Sequence, residues 1–130
     1  MTQTIDQYAV RREEWMSRVS TLVDQVEEWC RAAGWAVVRE QKTIREKLVG
    51  EYVVPLLRIT VPKGELHLNP IGLDVIGGDG RVDIEAFPTL SRVKLVGENG
   101  SWKLMADGNI PLRRPWNPRI FRELADDLLS

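Results

Sequence analysis

A chain of 130 residues that is 43% hydrophobic and 28% charged has the length and make-up of one globular domain, residues 1–130, long enough to bury a core without covalent staples. Its formal net charge of −1 gives no field that would draw it to nucleic acid or anionic lipid. The single cysteine, Cys30, excludes an intramolecular disulfide, and with one histidine, His67, it cannot build a His/Cys metal cluster, so neither a metal nor a cofactor is expected. The opening MTQTIDQYAVRREEW carries acids early and has no apolar core, unlike a signal peptide. No stretch approaches the ~18 apolar residues of a membrane span. The expectation is a cytoplasmic protein with no membrane attachment.

Ile5, Tyr8, Trp15, Val19, Leu22, Val26, Trp29 and Ala33 recur in steps of three and four, missing one position at Arg12. Met16, Val23 and Cys30 widen the stripe, and acids and arginines fill the other faces. This predicts an amphipathic helix over about Ile5–Ala33, ended by Gly34. The stripe is long enough to cover a sheet or to pair two chains as a homodimer.

After Gly34 the period changes to two. Trp35–Glu40 reads as a strand, and Thr43–Gly50 fits a strand, a helical turn or a charged loop alike. Tyr52–Val61 is a strand that Pro55 confines in part to an edge or a bulge. Pro62-Lys63-Gly64 turns the chain into Glu65–Asn69. Two hairpins follow, Leu73–Phe87 around Gly77-Gly78-Asp79-Gly80, and Arg92–Ala106 around Asn99-Gly100, the dipeptide best suited to a type I′ turn. Asp107-Gly108 marks another turn. Asn117-Pro118 starts a closing helix whose apolar face is Ile120, Phe121, Leu124 and Leu128. The fold class is α+β: a long N-terminal helix, an antiparallel sheet of about six strands in hairpins, and a short C-terminal helix.

With Asn99-Gly100 as the turn, Gly97 faces Trp102, Leu95 faces Leu104 and Val93 faces Ala106, which puts the apolar set on one side. With Gly78-Asp79 as the turn of the earlier hairpin, Val75 faces Val82, Leu73 faces Ile84, and Asp74 faces Asp83, with Glu85 next along. Like charges directly opposite cost about 0.2–1 kcal/mol. Asp74, Asp83 and Glu85 are therefore either a solvated ladder compensated by Arg81, Arg92, Lys94 and Lys103, or a carboxylate cluster that binds a basic partner or a cation. GGDGRVDIE lacks the spacing of a calcium loop, and Phe87 stands where a D…E-x-K nuclease needs lysine. His67, between Leu66 and Leu68, is expected to point to solvent or to a carboxylate. Nucleotide-binding loops, nucleophile elbows and C-x-x-C pairs are absent from the sequence.

The segment Pro111–Arg119 carries Arg113, Arg114, Trp116 and Arg119 without an acid, a composition of contact hot spots for an acidic partner or phosphate. Trp116 could equally plug the core before the last helix. Trp15, Trp29 and Trp102 are expected in the core.

The order PIGLDVIGGDGRVDIEAFPTL, SWKLMADG and PWNPRIFRELADDLL, over Pro70–Leu129, resembles a group of small uncharacterised bacterial α+β proteins. The resemblance brings no activity and no functional residue.

These readings lead to a non-enzymatic protein-binding module of bacterial origin, such as an adaptor, chaperone or immunity-type inhibitor, contacting a protein partner through Asp74, Asp83 and Glu85 or through the segment around Trp116. The alternatives are a carboxylate-dependent, Mg²⁺-assisted hydrolase or nucleotide-modifying enzyme, and a homodimeric structural protein joined through the N-terminal helix.

Overall fold

The computed structural model describes residues 6–75 and 78–130. Helix α1 spans Gln7–Ala32, and the Asp6 carboxylate caps it by accepting from the Tyr8 and Ala9 amides. Seven strands follow: β1 (Ala36–Glu46), β2 (Gly50–Val61), β3 (Gly64–Val75), β4 (Gly78–Phe87), β5 (Arg92–Glu98), β6 (Ser101–Ala106) and β7 (Ile110–Pro111). Helix α2, Pro118–Leu128, closes the chain. The sheet is one antiparallel meander in the order β1 to β7, so each strand lies beside its sequence neighbour. The α+β class with helices at both ends is the architecture the periodicities predict. No helix among the described residues is long and apolar enough to cross a membrane.

The helix stripe meets the sheet. Trp15, Val19, Leu22, Val26 and Cys30 are buried against Leu57, Ile59, Leu66, Leu68, Val82, Ile84 and Leu95. Ile120, Phe121, Leu124 and Leu128 of α2 join the same core. From Trp15 to Cys30 the buried positions of the stripe are thus covered by the chain's own sheet, while Tyr8 stays exposed; its first position, Ile5, lies outside the described residues.

The ambiguous segment Thr43–Gly50 resolves into a strand and a turn. β1 continues to Glu46, paired with Gly50, and β2 returns in register to Thr60 opposite Ala36. Pairing between β2 and β3 covers only Leu57–Val61 and Gly64–Leu68. Pro55 therefore sits where β2 has no partner on that side, the position in which its missing N–H costs nothing. Glu46 bridges the split. Its carboxylate accepts from the Leu73 and Asp74 amides, at 3.0 and 2.8 Å, and from the Tyr52 hydroxyl.

The two later hairpins differ. Between β5 and β6, Glu98 pairs with Ser101, Gly97 with Trp102 and Leu95 with Leu104, as the Asn-Gly turn predicts. Asn99 and Gly100 have φ of 50° and 78°, as a type I′ turn requires. Between β3 and β4 the register departs from expectation. Val75 pairs with Gly78 and Asp74 with Asp79, whereas Asp83 pairs with Asn69 and Ile84 with Leu68. Gly78 and Asp79, expected as the turn, are thus paired residues of β4, and residues 76 and 77 lie outside the described residues. Residues 65–69 and 73–75 are one strand, interrupted by an irregularity between Pro70 and Gly72. The extra residue there switches which positions face inward, so Leu66, Leu68 and Leu73 are all buried despite their unequal spacing.

Candidate functional site

The sheet has one side under the helices and one side polar. On the polar side Asp83 is 1% exposed and held between arginines. Arg81 donates to both its oxygens at 2.7 Å, and an Arg92 nitrogen lies 3.7 Å away. Lys94 faces Asp83 and Arg92 faces Glu85 from β5. Asn69 donates to Glu85 at 3.1 Å and accepts from Lys42 at 2.7 Å, while Lys42 also reaches the Pro70 carbonyl. Burial pushes the Lys42 ammonium below its ordinary value, and the Glu85 and Asp83 carboxylates push it back up. His67 lies 2.9 Å from Glu65, whose carboxyl it helps hold below the usual range, and stacks against Phe87 at 4.6 Å.

The structure therefore keeps Asp83 and Glu85 on adjacent outward positions but not with Asp74. Asp74 is five residues beyond Asn69 along β3, about 16 Å from Asp83. The facing pair Asp74–Asp83 is corrected to Asp74–Asp79. Compensation of Asp83 by Arg81 and Arg92 occurs as the alternation implies, whereas Lys94 stands opposite Asp83 but reaches Asn109 and Lys103 pairs with Glu98. Among the described residues no group of three His, Cys, Asp or Glu is placed to hold a metal ion.

The segment around Trp116 builds something different. Asn117 caps α2, its side chain accepting from the Ile120 amide at 2.8 Å, and Pro118 takes the first helical position. That places Trp116 just before the cap and Phe121 one turn into the helix, the two ends of a hydrophobic staple. Their ring centroids are 5.8 Å apart. On its other side Trp116 packs against Trp29 of α1 at 5.2 Å. The Trp116 Nε1 is buried and has no acceptor among the described residues. Arg114 pairs with Glu123 and Asp127, and Arg119 with Glu123 at 3.0 Å, so the acids of α2 neutralise these two arginines. Arg113, at φ 55°, is exposed.

Beside Trp116 opens a cavity of about 630 Å³. Trp29, Trp102 and Trp116 wall it, Pro115 and Pro118 rim one side, and Arg18 is the charged residue of its lining. The Arg18 guanidinium lies over the Trp102 ring, 4.9 Å from its centroid. Its hydrogen bonds go to the carbonyls of Asp79 and Ser101, at 3.2 and 3.3 Å, and no carboxylate pairs with it among the described residues. Gly97 permits this approach, because a Cβ there would come within 2.7 Å of the guanidinium. A second depression, sharing Ser101 and Trp102, runs on to Arg113 and Arg114; its one acid, Glu98, faces Lys103 at 3.7 Å.

Sequence reasoning singled out Trp116 and the arginines beside it but missed Arg18, and it assigned Trp29 and Trp102 to the core alone. Both are half-buried: they pack on the core and also wall the groove. One signal was available. Ser17, Thr21, Gln25 and Trp29 recur every four residues, an uncharged stripe on a helix whose other outward positions are mostly acids and arginines. All four line the groove. Comparison with family models, with curated proteins and with solved structures finds no match for this chain.

Proposed function

We propose that this chain is a non-enzymatic protein-binding module that takes an extended, proline-containing acidic segment of a partner protein into the tryptophan groove. The observation that carries this reading is the Arg18 guanidinium, lying over Trp102 and facing no carboxylate among the described residues, in a groove walled by three indoles. Tryptophan and arginine are the residues that most often dominate association energy. Aromatic-walled grooves suit extended proline segments, which pack between the rings with little ordering cost. The positive wall then selects a neighbouring acid. An adaptor or an inhibitor of another protein would both use such a groove.

The test is selection of a random peptide library against the full chain, repeated with Arg18→Glu after circular dichroism has shown that the variant is folded. The expected result is enrichment of peptides with Asp or Glu beside proline, and binding at least about tenfold weaker to the variant, the scale of one lost charged contact. No enrichment, or enrichment that Arg18→Glu leaves unchanged, overturns the reading.

A further inference from the structure

The sheet has two edges, and they are finished differently. At one end β7 is two residues long. At the other, β1 presents eleven residues, mostly exposed, whose outer side pairs with no strand among the described residues. Long edges of this kind join other strands unless something prevents it. Arg39, Glu40, Lys42, Arg45 and Glu46 are the charges on this edge, and their order decides what can pair with it.

A second copy joining antiparallel, with both sheets continuous and related by a twofold axis, must keep each side chain on its own face. Residues of like parity then oppose each other, and some residue must face itself. With Gln41 facing Gln41, the whole of β1 is in register. Glu40 stands opposite Lys42 in two symmetry-related pairs, Arg39 opposite Thr43, and Val38 opposite Ile44. Moving the register by two residues sets Glu40 against Glu40 in one direction, or Arg39 against Arg45 and Lys42 against Lys42 in the other. Moving it by four sets Arg39 against Arg39, or Glu40 against Glu46. The symmetric registers with extensive pairing thus all oppose like charges, except the one centred on Gln41. Val38, 58% exposed in the single chain, gains an apolar neighbour in that register.

We infer that β1 is a self-complementary edge and that two copies of this chain join through it into one continuous sheet, with Gln41 at the twofold axis. The groove proposed above lies at α1, the β5–β6 turn and the start of α2, away from this edge, so either proposal can fail without the other.

A single strand pair is a small interface, so the dimer is expected at protein concentrations on the order of 100 µM. Sedimentation equilibrium of the full chain should show a concentration-dependent dimer. Glu40→Lys, which sets like charges across both symmetric pairs, should weaken it about tenfold or more. The register is read by oxidative cross-linking. Gln41→Cys, at an exposed position, should give a covalent dimer, because directly opposed residues lie within disulfide reach. Thr43→Cys should not, because in this register the two thiols would be about 13 Å apart along the strands. A chain that stays monomeric at these concentrations, or a Gln41→Cys variant that cross-links no faster than Thr43→Cys, overturns the inference.

Discussion

Helix α1 meets tryptophan-rich surroundings at both ends, and they are completed differently. At Trp15 the indole N–H donates to the Tyr52 hydroxyl at 3.1 Å, and that hydroxyl donates in turn to Glu46. Glu46 also takes two amides of β3, and Gly80 gives the ring its space. Burial and Glu46 together push the Tyr52 phenol well above its ordinary value, which keeps it a donor. At the other end Trp29, Trp116 and Phe121 pack ring against ring, yet the Trp116 N–H has no acceptor among the described residues and the walls leave a cavity of about 630 Å³. Aromatic residues at the first end are satisfied inside the chain. At the second they are held in place but left with unused surface, as a binding site requires.

The sharpest way to break the first end is Gly80→Ala. Gly80 has φ 94° and a Cβ there would overlap the Trp15 ring, so a loss of about 2–4 kcal/mol in urea unfolding is expected from overpacking and backbone strain together. A loss below about 1 kcal/mol would mean that Trp15 can move aside freely. The same chemical change at both ends then separates them. Trp15→Phe removes the partner of Tyr52, whereas Trp116→Phe removes an N–H that has none. The first should cost more by about 1–2 kcal/mol, measured by paired denaturation curves. Equal losses would show that the Trp15 hydrogen bond contributes nothing. Glu46→Gln keeps one acceptor oxygen and removes the charge, and should cost about 1 kcal/mol in the same assay. The smallest effect is expected at Cys30. Its thiol is pushed up to about 12, by burial first and Glu27 second, so iodoacetamide at pH 8 should label it only as fast as the chain opens. Gly80→Ala should accelerate that labelling.

The fold was legible where one residue pair admits one geometry. Asn99-Gly100 specifies its turn and with it the register of β5 and β6, and Asn117-Pro118 specifies the start of α2. Gly77-Gly78-Asp79-Gly80 offers several turns, and β4 alternates equally well against two stretches of β3, so its register had more than one solution. What decided it was Pro70 and the extra residue beside it, which let a single long strand pair almost throughout. At the candidate site, Trp116 and Arg113 could be found because they crowd one segment. Trp29 and Trp102 could not be told from core residues, since on pattern each belongs to an apolar face; only the packing of α2 reveals the side left uncovered.

The meander has a consequence for the order of events in folding. Every strand pairs with its sequence neighbour, so the sheet can grow outward from any of its turns through local contacts. The tryptophan groove cannot form this way. Its walls come from α1, the β5–β6 hairpin and the approach to α2, and Arg18 spans 83 residues to reach Ser101. The groove exists only once both ends of the chain have docked on a finished sheet. A partner that recognises it would therefore distinguish the mature molecule from its folding intermediates.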